Sequence, residues 1–255
     1  MYFPACLMHC FTRIYRKLFR RKGFGVHSPF VFDLITNVIE EDSAFYAYHQ
    51  FSEIREQLLA NDQLIRYKGK PVKVNKAIRR YGISQKEGEF LFRLSNHFKP
   101  KSVLSIGSSM GLAPLYLTEY DATVQCITLE SEPDFAHIAT QLLSRKVNVS
   151  LPIKTGSYQD TIRDSIVHFQ KIDCIFIGKE IEVDDLNVIF SQCLPLFHDQ
   201  TYGVIAGIRS SAGKYRYWKQ CCRHPRVTVA IDLFDMGLLF FHSKLHKRVY
   251  QTILP

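Results

Sequence analysis

The stretch Val103-Leu104-Ser105-Ile106-Gly107-Ser108-Ser109-Met110-Gly111 passes from a short apolar run into a turn with glycine at both ends. An apolar helical run, 112–118, follows at once. In a parallel sheet wound by helices, the first such turn lies at the carboxyl edge of the strands. There its backbone N–H groups face a ligand, and a glycine stands where no side chain fits. Residues 123–129 read as the next strand, and Glu130 ends it, 23 residues after Gly107. A carboxylate in that place accepts hydrogen bonds from both hydroxyls of a ribose. The third glycine that admits a pyrophosphate is missing, which points to a nucleoside without one.

Outward from this turn the chain alternates short apolar runs with helical stripes. After Glu130, Phe135, Ile138, Ala139, Leu142 and Leu143 fall on one helical face. A third strand is expected over 147–153, a helix over 161–169, a fourth strand over 172–177 and a fifth over 202–206. Between the last two, Leu186, Ile189, Phe190, Cys193 and Phe197 form another stripe. Strands that are apolar throughout and alternate with helices imply a parallel sheet covered on both faces. Runs 227–231 and 237–241 are too close for a parallel crossover, so they pair antiparallel. The expected fold is α/β: a Rossmann-like, doubly wound, mostly parallel sheet ending in an antiparallel hairpin, preceded by an N-terminal helical extension.

Upstream, residues 5–22 form an amphipathic helix with a basic end, and Ser28-Pro29 caps a helix reaching about residue 39. A further helix is expected over 44–60. The basic segment 63–82 shows little periodicity and reads as a loop or lid. Ser84 and Glu87 have capping-box spacing and open the helix that Pro100 closes. Two regions are expected: 1–83, the helical extension with its lid-like segment, and 84–255, the sheet domain.

The chain has 255 residues and a net charge of +9, unevenly placed. The first 32 residues hold six bases and no acid, and residues 63–86 hold eight bases and no acid. The apolar fraction of 46% and charged fraction of 22% exclude disorder, and no apolar run is long enough to span a bilayer as a helix. The positive charge follows the first apolar residues, so no secretory signal is expected. Seven cysteines, several inside apolar runs, suit a reducing, cytoplasmic setting. Cys6, His9 and Cys10 have no second ligand pair at zinc-like spacing.

With these motifs in place, residues 84–241 resemble a class I S-adenosylmethionine-dependent methyltransferase, of the small bacterial group similar to catechol O-methyltransferase. The stretch 103–111 resembles the first family motif and 126–130 the second. Thr155-Gly156-Ser157-Tyr158 resembles the adenine-side loop and 173–178 the fourth-strand motif, while 224–241 resembles the terminal hairpin. Gly23-Phe24-Gly25-Val26-His27-Ser28-Pro29-Phe30 resembles that group's entry segment. The resemblance implies S-adenosylmethionine as cofactor, with Gly107, Ser108, Ser109 and Gly111 along its methionine and ribose, Glu130 on the ribose, and Ser157 and Tyr158 by the adenine.

Where metal-dependent members carry acids, this chain has Gly178, and Ala206 with Gly207; Ser105 replaces another family acid. Magnesium needs hard oxygen ligands, so no metal is expected. The implied activity is metal-independent methyl transfer, to oxygen, on a small-molecule or anionic substrate attracted by 63–86. The alternative is a catalytically inactive methyltransferase-like protein serving as a binding or regulatory module. Lys179, Glu180 and His27 are candidate general bases, but solvated or cap roles suit them better and the catalytic residues stay unassigned. Nucleic acid is not an expected partner, for want of a reading module. The mixture of Phe11, Ile14, Leu18 and Phe19 with bases in 5–22 suits peripheral membrane contact.

Overall fold

A computed structural model describes residues 5–19, 23, 25–144 and 151–255, with side chains from residue 11 onward. The first strand of the main sheet, β3 (Ser102–Ile106), leads through the glycine turn into α6 (Leu112–Thr118). Then come β4 (Gln125–Glu130), α7 (Pro133–Leu143), β5 (Ile153–Thr155), α8 (Tyr158–Ile166), β6 (Cys174–Ile177), α9 (Val183–Cys193) and β7 (Tyr202–Ala206). The C-terminal part is α10 (Ala212–Arg223), β8 (Val229–Asp232), β9 (Met236–Phe240) and β10 (Arg248–Gln251). The eight strands lie in the order β10-β8-β9-β7-β6-β3-β4-β5. Pairing is parallel from β5 to β7, and β9 runs antiparallel to both β7 and β8. This is the Rossmann-like methyltransferase fold, with the antiparallel hairpin expected from 227–241.

Upstream lie α1 (Ala5–Phe19), α2 (Pro29–Leu34) with a π-helical continuation to Ile39, and α3 (Ala47–Ala60). The Ser28 hydroxyl accepts from the backbone N–H of Val31, and Ser84 and Glu87 form the reciprocal capping box of α5 (Gln85–Phe98). Both faces of the sheet are buried. One packs on α5, α6 and α7 together with Val31, Leu34, Phe51 and Ile78 from the N-terminal helices. The other packs on α8, α9 and α10.

The structure corrects two expectations and adds a strand. Residues 63–82 are not an irregular loop: β1 (Leu64–Tyr67) and β2 (Lys70–Lys73) make an antiparallel hairpin, and α4 (Val74–Tyr81) follows. Lys68 and Gly69 both have positive φ, which closes a two-residue turn matched to strand twist. Val74, Ala77 and Ile78 supply the buried stripe of α4. The third strand begins only at Ile153, after Pro152, which has no N–H for a ladder; residues 147–150 of its expected span lie outside the described residues. A further strand, β10, adds to β8 in parallel at the sheet edge. The expected helix 5–22 is α1 as far as Phe19, and residues 20–22 lie outside the described residues.

One buried ion cluster closes the β8–β9 turn. Asp232 takes bidentate hydrogen bonds from Arg16 of α1 (2.8 and 3.3 Å) and from Arg209 (2.7 and 2.5 Å), and also accepts the N–H of Phe234. Burial alone would raise the Asp232 carboxyl, but the hydrogen bonds of Arg209 and Arg16 outweigh it and hold the carboxyl below its usual value. A depressed carboxyl contributes stability above its unfolded value, lost as pH falls through the folded one. Asp232→Ala leaves two buried guanidinium groups without their counter-charge and should cost about 3–5 kcal/mol in denaturant unfolding at neutral pH. A loss below 1 kcal/mol would contradict that account.

Candidate functional site

The carboxyl ends of β3, β4 and β6 are adjacent in the sheet, and the turn after β3 is its most contorted segment. Gly107, Ser109, Met110 and Gly111 all have positive φ, at 71°, 50°, 56° and 91°. A Cβ on Gly111 would lie 3.0 Å from the Ala139 backbone, so that glycine lets α6 and α7 approach. The turn is held by Gly107 N–H donating to the Leu129 carbonyl (2.9 Å) and Gly111 N–H to Ser108 (3.0 Å).

Two carboxylates converge on this turn. Glu130, fully buried, accepts the Ser108 N–H at 3.1 Å and the Ser108 hydroxyl at 2.8 Å. Glu180, from the loop after β6, accepts the Ser109 N–H at 3.1 Å, and its other oxygen is buried without a partner. Burial and the neighbouring Glu180 push the Glu130 carboxyl up to about 8. Burial raises Glu180 as well. The glycines make room for Glu180: a Cβ on Gly107 would lie 2.9 Å from its carboxylate, and one on Gly178 would lie 2.4 Å from Oε2.

The structure brings Gly107, Ser108, Ser109, Gly111 and Glu130 together, with Ser157 and Tyr158 beside them. Gly156 N–H donates to the Glu130 carbonyl (3.1 Å), Ser157 caps α8, and Tyr158 is buried at its first turn. Gly178 directly follows β6, and Ala206 ends β7 with Gly207 just after it. Among the described residues, no group of three or more His, Cys, Asp or Glu is placed to hold a metal ion. Lys179 is tied to the capping-box Glu87 at 2.7 Å, and His27 is exposed ahead of α2. Cys6, His9 and Cys10 have side chains outside the described residues. Cys126, Cys174, Cys193, Cys221 and Cys222 are buried, and burial pushes the Cys193, Cys221 and Cys222 thiols up to about 12.

The β1–β2 hairpin crosses above this floor. Arg66 N–H donates to Asp134 (2.5 Å) and Lys68 N–H to Glu132 (2.9 Å), while the Lys68 ammonium pairs with Glu182 on the opposite side. Tyr67 stacks on Phe135 at 5.1 Å and meets Tyr81 at 4.4 Å. Ser108, Ser109 and Glu130 are fully buried beneath the sheet's carboxyl edge. The sequence alone suggests a solvated Glu180; its place against the turn depends on β6 lying next to β3, which no local pattern announces.

The chain resembles solved methyltransferase structures at low identity. The O-methyltransferase from Bacillus cereus, in complex with SAH, matches at 18% identity and TM-score 0.55, over 78% of this chain and 92% of that one. The SAH-bound methyltransferase PaMTH1 from Podospora anserina matches at 14% and 0.53, over 79% and 99%. The O-methyltransferase TomG from Streptomyces achromogenes, in complex with SAM, matches at 15% and 0.55, over 84% and 95%. No protein-family model and no curated protein matches the sequence.

Gly178→Ala should destabilise by about 1–3 kcal/mol, the usual penalty of overpacking. In an E180A background, where the opposing carboxylate is gone, most of that penalty should vanish in a double-mutant cycle; equal penalties in both backgrounds would contradict the contact. The raised carboxyls also bind protons that the unfolded chain releases near pH 4.5, so stability should fall as pH rises from about 5 to 8. E130Q should flatten that slope in melts across the range, and an unchanged slope would count against the buried pair.

Proposed function

We propose that the chain is an S-adenosylmethionine-dependent methyltransferase, acting without a metal and transferring its methyl group to oxygen. The observation that carries this reading is the pair of buried carboxylates on the glycine turn, one with an oxygen lacking any partner. A buried acid in that state is costly and calls for a cation or hydroxyl. S-adenosylmethionine brings two cationic groups and two ribose hydroxyls, whereas a pyrophosphate would be repelled. Glu130 would hold the ribose, Gly107, Ser108, Ser109 and Gly111 the adjoining chain, Ser157 and Tyr158 the adenine side, and Glu180 the amino-acid cation. When bound, the cofactor supplies an electrophilic methyl group on sulfonium sulfur. Residues 84–255 would form the domain that carries the site. Residues 1–83 would be an extension whose hairpin must lift to admit the ligand and then exclude water.

Titration calorimetry with S-adenosylmethionine and S-adenosylhomocysteine tests this. Binding should be weakened at least tenfold by Glu130→Ala. At pH 7 it should release protons, because a cation beside the carboxylates lowers their raised affinity for protons. No binding of either compound would overturn the proposal. Binding without turnover on any acceptor would favour the inactive, regulatory reading.

A second observation concerns α1. Arg13 pairs with Asp235 and Arg16 with Asp232, so the helix is pinned by its basic side. Phe11, Ile14, Tyr15, Leu18 and Phe19 are each at least 50% exposed. We infer that this outward apolar face meets an anionic lipid surface. Asp235 and Asp232 offset two of the six bases in the first 32 residues, and the other four, with no acid in that stretch, disfavour self-association. The protein should sediment with phosphatidylserine-containing vesicles and not with pure phosphatidylcholine, and F11E/L18E should abolish the difference. Equal sedimentation of that variant, or a concentration-dependent dimer without vesicle binding, would reject the inference.

A further inference from the structure

Next to the covered turn lies an open cavity of about 870 Å³, within the range of small-molecule sites. Its walls come from the β1–β2 hairpin, α4, the loops after β6 and β7, and the start of α10. Six cations line it: Lys68, Lys70, Lys76, Arg80, Lys179 and Lys214. Two of these are committed elsewhere, Lys68 to Glu182 and Lys179 to Glu87. Lys70, Lys76 and Arg80 are exposed, and among the described residues none of them has a carboxylate partner. Glu180 and Glu182 are the acids on the wall, and Glu180 faces the glycine turn as well. Tyr81, Pro71 and Ile181 add an apolar surface.

Lys214 stands apart from the other cations. It is 6% exposed, on the first turn of α10, and its ammonium donates to the Lys179 carbonyl beside the glycine turn. Burial drives its amine down to about 8; Glu180 and Glu182 oppose that shift, and Lys179 and Lys68 add to it. An amine that still donates one N–H to a carbonyl keeps a lone pair to accept a proton.

Resting on the methyltransferase reading above, we infer that this cavity is the acceptor site for a small molecule carrying a phosphate group. Lys70, Lys76 and Arg80 bind that phosphate, and Lys214 takes the proton of the acceptor hydroxyl. In the transfer the acceptor oxygen bonds to the methyl carbon. The carbon–sulfur bond breaks with its electron pair left on sulfur, and the hydroxyl proton passes to Nζ of neutral Lys214, which becomes an ammonium. Lys179, which directly follows the strand motif 173–178, is held by Glu87 and takes no part in this.

Inorganic pyrophosphate is the probe for the anion subsite. It should bind the full-length protein by calorimetry at low salt, and K70E/K76E should weaken it at least tenfold, while the distant K244E should not. Acetic anhydride labelling with peptide mapping should show Lys214 reacting with a midpoint near pH 8 and protected by pyrophosphate. Absent pyrophosphate binding, binding indifferent to K70E/K76E, or a Lys214 that labels only above pH 10 would overturn the inference. S-adenosylhomocysteine binding is measured on the same variants. If pyrophosphate binds and S-adenosylhomocysteine does not, the cofactor reading fails while the anion site stands; the reverse result sinks the anion site alone. In transfer from tritiated S-adenosylmethionine, phosphorylated alcohols and phenols should accept label and their dephosphorylated counterparts should not. K214M should lose about 100-fold or more, as removal of a general base does. Equal labelling of both sets, label on neither, or full rate in K214M would overturn it.

Discussion

Two carboxylates buried on one glycine turn are the constraint around which this end of the molecule is built. Glu130 and Glu180 each take a backbone N–H from adjacent residues, Ser108 and Ser109. That is possible only because the turn runs through positive φ from Gly107 to Gly111, with Ser108 excepted, and presents successive N–H groups. The same requirement accounts for Gly178, where a methyl group would meet the Glu180 carboxylate. A glycine that looks like a lost metal ligand in a family motif is, in this chain, the space for a different acid. Glu180, two residues further along the loop after β6, brings its acid onto the turn.

What was legible in the sequence was local. The capping box at Ser84 and Glu87, the Ser28-Pro29 helix start, and the strand–glycine–helix order at 103–118 each depend on residues within a few positions of one another. The antiparallel hairpin 229–240 was legible because a short link excludes a crossover. The β1–β2 hairpin was hidden by its turn, Lys68-Gly69, in which a lysine holds a position usually given to asparagine or aspartate. The α4 stripe was masked by the five bases among residues 70–80. Glu180 reads as solvated, and Lys214 carries no local signal, for another reason: their surroundings are assembled from β3, β6 and α10, which are far apart in sequence.

The N-terminal elements also change how the sheet is completed. Val31, Leu34, Phe51 and Ile78 share one core with strand residues such as Val103, Val204 and Leu238. The hairpin that covers the turn is rooted in this packing through α4. Ile65 is buried in the same core and Tyr67 stacks on Phe135, whereas the outer polar contacts are single hydrogen bonds to Glu132 and Asp134 and an exposed ion pair to Glu182. Exposed ion pairs contribute little stability, so the Lys68 tip is held more weakly than the strand behind it. This contrast suits the lifting of the hairpin proposed above.

Charge is sorted across the hairpin in a way that follows from burial. The acids lie inside, where water is excluded and each negative charge needs a positive or hydrogen-bonding partner. The unpaired bases lie on the open cavity, where water solvates them at little cost and a dianion can displace that water. A cationic group is therefore favoured at the turn and an anionic one in the cavity, with Lys214 at the boundary between them. Placed near the acids alone, its amine would be held as a cation; placed among the bases alone, it would lose its proton further below the ordinary lysine range. Sitting between both, with burial as the largest influence, it is poised at about 8, where a proton can be both taken and returned.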